Sequence, residues 1–158
     1  MFVCLGNICR SPLAEAIFNH KVKNRGLEKV IIADSSGTSH WHIGDLPDPR
    51  TIETAAGHGI QINHRGRQFK PDDTKIYDYI IAMDKDNRVE IDSIMKNRQS
   101  KARVLMMGDF DRNSSGTDIP DPYYGDKMDF QEVFRLLDES CENLVKYLVD
   151  THHPDDKR

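Results

Sequence analysis

Short apolar runs alternate with longer segments of helical periodicity along the 158-residue chain. The apolar runs predict four strands, at residues 2–3, 30–33, 79–83 and 104–107. Residues 30–33, Val-Ile-Ile-Ala, are apolar at every position, which is typical of a strand covered on both faces. Strands that alternate with helices predict βαβ units and a parallel sheet.

Capping signals and i, i+4 apolar pairs predict the helices between these strands. Ser11 as N-cap and Pro12 at the first helical position begin the first helix, and Gly26 ends it. The others are predicted at residues 48–59, 84–97 and 130–150. Residues 109–125 are rich in Asp, Ser, Gly and Pro and predict a loop of a length that is usually functional or disordered. We expect one domain over residues 1–150, followed by a disordered tail over 151–158.

Charge and composition narrow the class of protein. A net charge of −4 and a pI of about 5.9 argue against nucleic acid as the main ligand. No apolar run is long enough for a membrane span, and the apolar start is too short for a signal peptide. Three cysteines do not form a disulfide framework, so we expect a cytoplasmic protein. Because no long apolar run is present, we expect no membrane partner.

The stretch Cys-Leu-Gly-Asn-Ile-Cys-Arg-Ser-Pro, residues 4–12, carries the most chemistry. It lies between the first strand and the first helix, at the sheet edge where open α/β folds bind ligands. Its backbone N–H groups can form an anion-binding nest, and Gly6 and Asn7 tolerate the conformations that such a loop requires. The phosphate loop is predicted to comprise Leu5, Gly6, Asn7, Ile8, Cys9, Arg10 and Ser11.

Cys4 and Arg10 bracket this loop and predict a nucleophile and a phosphate clamp. A helix N-terminus and a nearby Arg lower the pKa of a thiol to about 3.5–7.5, so we expect Cys4 to be a thiolate that attacks phosphorus. The planar fork of Arg10 can hold two phosphate oxygens. A buried, inert Cys4 is the simpler alternative. Zinc is a weaker one, because Cys4 and Cys9 have no second ligand pair at finger spacing.

A proton donor for the leaving group is predicted in the long loop. Asp121 lies between Pro120 and Pro122, which stiffen its backbone, and Tyr123 and Tyr124 follow it. The carboxyl group can protonate the leaving oxygen and then activate water, and the tyrosines can form the wall of an aromatic pocket. An exposed Asp in a proline-rich turn is the alternative.

These motifs together resemble the low-molecular-weight protein tyrosine phosphatases over nearly the whole chain. The resemblance is carried by residues 4–12, 14–16, 34–35, 47–50, 58–60, 67–68, 78–80, 83–84 and 121–125. It implies a single-domain three-layer α/β sandwich, Rossmann- or flavodoxin-like, with a parallel sheet of four strands in the order 2-1-3-4. It also implies hydrolysis of phosphotyrosine in proteins and of small aryl phosphates, including acid phosphatase activity, without a metal or other cofactor.

The resemblance also implies roles for individual residues. Cys4 matches the nucleophile, Arg10 the phosphate clamp, Asp121 the general acid, and Cys9 the cysteine that traps oxidised Cys4 as a disulfide. Asn7, Ser11, Ser35 and His64 match the supporting hydrogen-bond network, and Ile8, Trp41, Tyr123 and Tyr124 match the pocket rim. Phosphotyrosine-containing proteins or peptides are the expected partners, and inorganic phosphate and other oxyanions the expected inhibitors.

Several residues keep two interpretations. Ser11 can donate to the Cys4 sulfur or only cap the helix, and Asp84 can brace Arg10 or cap its own helix. His64 is either part of the network or merely exposed, and Trp41 either a rim residue or a core residue. Cys141, on the final helix, is interpreted as a packing residue.

Three alternative functions are compatible with parts of this pattern. Arsenate reductases share the loop but need further cysteines, and none lies between Cys9 and Cys141. A related branch removes phosphate from arginine and carries a smaller polar residue at the position of Ile8. A phosphotyrosine-binding module without turnover would be expected to lack Cys4 or Asp121, and both are present.

Overall fold

The computed structural model describes residues 1–113 and 115–152. Its sheet has four parallel strands in the order β2-β1-β3-β4, so the predicted fold class and strand order are confirmed. The strands are β1 (Phe2–Cys4), β2 (Ser35–Gly37), β3 (Tyr79–Ala82) and β4 (Arg103–Met106). The α-helices are α1 (Arg10–Asn24), α2 (Pro49–Gly57), α3 (Asp73–Ile76), α4 (Lys85–Met95) and α5 (Lys127–His152).

Two apolar layers enclose the sheet, because successive strand side chains point to opposite faces. Phe2 and Cys4 lie in the layer that α1 and α5 cover, whereas Val3 packs with Ile80 of β3 and Ile91 of α4. No helix in the described part of the chain is long and apolar enough to cross a bilayer.

The predicted second strand, residues 30–33, is wrong. β2 is instead Ser35–Gly37, with Ser35 paired to Phe2 of β1. Val30 and Ile32 are 59% and 78% exposed, so this apolar run does not lie in the buried sheet. Small residues form β2 because the phosphate loop crosses it closely: a Cβ on Gly37 would lie 2.7 Å from the carbonyl oxygen of Leu5.

The start of α1 also differs from the prediction. The helix begins at Arg10, and its N-cap is Cys9, without a side-chain capping bond. Ser11 is therefore not the N-cap, because its hydroxyl contacts the Cys4 sulfur instead. The predicted end is confirmed, since Gly26 has φ +68° and its N–H bonds to the carbonyl of Lys23.

The ends of the remaining helices and strands differ from the predicted ends by a few residues. α2 ends at Gly57, near the predicted residue 59, and β4 begins one residue earlier than predicted. The short α3 and a 3-10 turn at Met107–Phe110 were not predicted, because one turn carries no periodicity. α5 begins at Lys127 and continues to His152, two residues into the predicted tail. The rest of that tail, residues 153–158, lies outside the described residues.

Candidate active site

A cavity of about 200 Å³ opens where the chain leaves β1 and passes through the phosphate loop into α1. The cavity brings together the predicted nucleophile, clamp, proton donor and rim. Its lining residues are Cys4, Leu5, Gly6, Ile8, Cys9, Arg10, Trp41, His42, Asp121, Tyr123 and Tyr124.

Cys4 lines this cavity and, as a whole residue, is only 3% exposed. The backbone N–H of Asn7 donates to it over 3.3 Å, and the Ser11 hydroxyl oxygen lies 3.0 Å away. Since Ser11 already accepts a bond from Asn7 Nδ2 (2.8 Å), its own proton is left for the sulfur or for the Ser36 carbonyl at 3.3 Å. A negatively charged sulfur at this position can therefore accept two hydrogen bonds.

Arg10 is buried beside the cavity and held by acceptors from two other segments. Its Nη1 donates to Asp84 Oδ2 (2.6 Å) and to the Ile119 carbonyl (3.0 Å), and its Nη2 lies 3.5 Å from Asp121 Oδ2. Burial opposes the charge of Arg10, but Cys4, Asp84 and Asp121 outweigh it and raise the pKa of the guanidinium. Arg10 therefore remains a cation fixed in place.

Asn7 holds the shape of the phosphate loop. It has φ +58°, whereas Gly6 is not left-handed, so of the two predicted tolerant residues only Asn7 uses that conformation. Its Nδ2 donates to Ser11 and to Ser35 (3.1 Å). Its Oδ1 accepts from the backbone N–H of Arg67 at 3.0 Å, so the amide is fastened at both ends.

His64 belongs to this network, and the interpretation that it is merely exposed is wrong. Its side chain is 6% exposed, and Nε2 lies 2.7 Å from Asn7 Oδ1 and 3.4 Å from the Ser35 hydroxyl. Its Nδ1 faces Glu15 Oε2 at 3.2 Å. Sequence reasoning missed the role of Glu15, although an acidic residue on the buried face of α1 is a signal that a partner is present.

The loop that carries Asp121 is tied to the rest of the site. Asp121 Oδ1 accepts from the backbone N–H of Tyr123 (3.1 Å), which orients the carboxyl group. Arg50, another residue that sequence reasoning missed, donates to the carbonyls of Tyr123 (2.9 Å) and Gly125 (3.2 Å). Asp48 pairs with Arg50 at 2.9 Å and holds it in this position.

Aromatic side chains surround the mouth of the cavity. Trp41 is 63% exposed and Tyr124 95% exposed, which excludes a core position for Trp41. His42 packs over the loop, since a Cβ on Gly6 would lie 3.3 Å from its Cδ2. Gly66 fastens the segment that carries Trp41 and His42. Its carbonyl accepts a hydrogen bond from Gly44 N, and its N–H donates to the Asp45 carbonyl, both over 2.8 Å.

The other two cysteines are buried neutral thiols. Burial raises the pKa of Cys9 to about 12, although Cys9 borders the cavity. Burial likewise raises the pKa of Cys141, whose Sγ lies 3.6 Å from the Ala14 carbonyl. The interpretation of Cys141 as a packing residue is confirmed.

A parallel sheet with a Cys-x5-Arg loop at the end of its first strand is the architecture expected of a cysteine-dependent α/β phosphatase. The sequence model of the low molecular weight phosphotyrosine protein phosphatase family matches residues 1–153. The chain therefore belongs to this family, and the predicted family and enzyme class are confirmed.

Individual relatives agree with this assignment. The low molecular weight phosphotyrosine protein phosphatase of Saccharomyces cerevisiae is 43% identical over 148 residues, which cover 92% of this chain and 91% of the yeast protein. A protein tyrosine phosphatase from Entamoeba histolytica, solved with Hepes in its active site, has a TM-score of 0.89 and 39% identity, covering 95% of this chain and 96% of its own. The Drosophila arginine phosphatase DARP has a TM-score of 0.85 and 32% identity, covering 93% and 95%.

Proposed function

We propose that this chain hydrolyses phosphotyrosine in proteins, and small aryl phosphates, through a phosphocysteine intermediate on Cys4. One observation carries the proposal. Cys4 and Arg10 line the same cavity, the Asn7 N–H donates to the Cys4 sulfur over 3.3 Å, and the Ser11 hydroxyl oxygen lies 3.0 Å from that sulfur. This is the arrangement that a thiolate needs to approach a phosphate dianion.

The first step forms one bond and breaks another. A lone pair of the Cys4 sulfur forms the S–P bond in line, while the ester P–O bond breaks and its electron pair goes to the leaving oxygen. Asp121, which faces Arg10 at 3.5 Å, gives its proton to that oxygen. A tyrosine phenol then leaves in neutral form.

The second step releases phosphate. Asp121, now a carboxylate, takes a proton from water, and the water oxygen bonds to phosphorus as the S–P bond breaks. The electron pair returns to sulfur, and Ser11 donates to it as negative charge develops. Inorganic phosphate is the product and, as a ligand of the same loop, an inhibitor.

Hydrogen-bond donors of this chain can stabilise the negative charge of the phosphoryl group. The backbone N–H groups of Gly6, Ile8 and Cys9 donate none of the hydrogen bonds found among the described residues. These N–H groups lie just before the N-terminus of α1, where the helix dipole favours an anion. With Arg10 they stabilise the transferring group without a cofactor.

The rim supports an aromatic substrate. Ile8 forms an apolar wall, and Trp41, Tyr123 and Tyr124 offer flat faces to a phenyl ring. Similarity to DARP shows that this fold also occurs in an arginine phosphatase, so the fold alone does not determine substrate specificity. We expect a phosphotyrosine peptide to be hydrolysed with a higher kcat/KM than a phosphoarginine peptide of the same sequence. We place the activity in the cytoplasm.

The decisive experiment compares Cys4→Ser with the same substitution at Cys141, which is buried away from the cavity. Cys4→Ser should abolish hydrolysis of p-nitrophenyl phosphate while inorganic phosphate still binds. Cys141→Ser should stay active, since its hydroxyl can donate to the Ala14 carbonyl. Normal turnover by Cys4→Ser would refute the assignment of Cys4 as the nucleophile. Absence of turnover in the unaltered protein would instead favour a phosphotyrosine-binding module.

A further inference from the structure

Three potential metal ligands converge on the network behind the phosphate loop. They come from separate segments: Glu15 from α1, Asp34 from the residue before β2, and His64 from the segment between α2 and α3. None of the three lines the active-site cavity. We propose that Glu15, Asp34 and His64 bind one zinc ion through Glu15 Oε2, Asp34 Oδ1 and His64 Nδ1.

Hydrogen bonding determines which nitrogen of His64 is available to a metal. The backbone N–H of Arg67 can only donate, so the atom of Asn7 that accepts it at 3.0 Å is Oδ1. His64 Nε2 lies 2.7 Å from the same oxygen and must therefore donate its proton to it. Nδ1 is left with either a second proton or a metal. A metal-bound His that donates its other N–H to a carbonyl oxygen is the usual arrangement at protein metal sites.

The spacing of the three ligand atoms suits zinc. His64 Nδ1 lies 3.2 Å from Glu15 Oε2 and 3.8 Å from Asp34 Oδ1, and all the ligand atoms lie within 4.8 Å of one another. Tetrahedral Zn²⁺ with bonds of about 2.0–2.1 Å places its ligands roughly 3.3 Å apart. The Asp34 side chain is 34% exposed, which leaves a side open for water as a fourth ligand.

The charges around the site also favour a cation. Two carboxylates, those of Glu15 and Asp34, face His64 Nδ1 at 3.2 and 3.8 Å. Zinc would replace the proton that Nδ1 shares with Glu15 and relieve the repulsion between the two carboxylates. Asp34 Oδ2 accepts from Arg67 Nε (3.3 Å) and from Tyr77 OH (3.3 Å). Asp34 Oδ1 accepts from Ser35 N (2.8 Å) among the described residues, and its second lone pair is left for the ion.

Bound zinc would fix His64 in the position from which it holds Asn7. The inference goes beyond the proposed hydrolysis, because no catalytic step involves these ligands. The site would stabilise the folded state by an amount that grows with the logarithm of the zinc concentration above Kd, since the three ligands converge only after folding.

The experiment uses the full chain with Cys4→Ser, which removes the proposed nucleophile of the active-site cavity as a competing sulfur ligand. Titration calorimetry with ZnCl₂ should show one site, weakened about 10–100-fold by Glu15→Gln and by Asp34→Asn. Asp72→Asn is the matched control, because the Asp72 side chain is 80% exposed and, among the described residues, forms an ion pair with Lys75 alone. It should bind zinc like its parent. Equal affinity in the parent and in the Glu15 and Asp34 variants, or no zinc binding by the parent, would overturn the proposal.

A spectrum with Co²⁺ in place of zinc gives an independent readout. Nitrogen and oxygen ligands give visible d–d bands without a thiolate-to-cobalt charge-transfer band, and that band would overturn the site. Thermal unfolding in EDTA checks that each variant is folded before titration. Phosphate binding measured in EDTA should be the same in the Glu15 and Asp34 variants as in their parent. A failure of the zinc site is therefore distinguishable from a failure of the proposed hydrolysis.

Discussion

Asp84 Oδ2 accepts a hydrogen bond from Arg10 Nη1 over 2.6 Å, while its Oδ1 accepts from the backbone N–H of Asn87 over 2.7 Å. The first contact braces Arg10, the proposed phosphate clamp, and the second caps α4. Both interpretations of Asp84 therefore hold at once. One carboxylate therefore joins the stability of a helix to the position of the Arg10 guanidinium.

Two substitutions separate these roles. Asp84→Asn keeps an N-cap acceptor but removes the charge that faces Arg10, so kcat/KM for p-nitrophenyl phosphate should fall about tenfold to hundredfold. Its unfolding midpoint should change little. Asp84→Ala should also lose about 1 kcal/mol of stability. Steady-state kinetics with thermal unfolding measures both effects, and a fully active Asp84→Asn would remove the bracing role.

The proposed role of Asp121 as an acid predicts a dependence on the leaving group. Asp121→Asn should slow hydrolysis of phenyl phosphate about 10²–10⁴-fold, and that of p-nitrophenyl phosphate far less, because the nitrophenolate leaves without a proton. Asp118→Asn is the control in the same loop, since an amide oxygen can still accept from Lys85 N. Equal slowing of both substrates by Asp121→Asn would eliminate Asp121 as the acid.

Gly66 is expected to position the rim. A Cβ there would lie 2.1 Å from the His42 carbonyl oxygen, so Gly66→Ala must displace the segment that carries Trp41. We expect a loss of about 1–3 kcal/mol and a larger rise in KM for phosphopeptides than for p-nitrophenyl phosphate.

The matched control for Gly66 is Gly57→Ala in α2, where an added Cβ meets nothing within 4 Å. It should be neutral or stabilise by up to about 1 kcal/mol. Unfolding curves and kinetics on both substrates compare the two variants. Identical behaviour would show that the close approach at Gly66 is unimportant.

Glu142 connects α5 to α1 through Arg25 and Lys21. Its hydrogen bond with Arg25 lowers its pKa to about 2 from 4.5, so the contribution to stability is full above about pH 4.5 and is lost as the pH falls through about 2. These side chains are partly exposed, so Glu142→Gln should cost only about 0.5–1 kcal/mol at pH 7. Denaturant unfolding should show the difference disappearing by about pH 2, and a constant difference down to that pH would contradict the pairing.

Peroxide should inactivate the enzyme reversibly. It would oxidise Cys4 to a sulfenic acid, and the Cys9 sulfur would then attack the Cys4 sulfur, forming a disulfide and releasing water. Because burial raises the pKa of Cys9 to about 12, its thiolate fraction and the rate of disulfide formation should rise roughly tenfold per pH unit. Cys9→Ser should accumulate sulfinic or sulfonic acid at Cys4. Peptide mapping that finds only those acids in the unaltered protein would contradict this prediction.

The predictable parts of the site are those encoded locally. Cys4, Arg10 and the loop between them follow from spacing, and their place in the sheet follows from the apolar residues of β1. The contacts of Asn7 with His64 and Arg67 span 57 and 60 residues, and no local pattern reports them. β2 was misplaced for a related reason. Its composition is set by the loop that packs against Gly37, which only the assembled fold reveals.

The left-handed backbone of Asn7 has a consequence for inhibitor design. Because Asn7 is tied down from Ser35 and Arg67, the conformational entropy of the loop is lost when the protein folds, before any oxyanion arrives. A tetrahedral anion should therefore meet a receptor that is already formed. Differences in affinity among ligands should then arise at the mouth, where Trp41 and Tyr124 can still adjust.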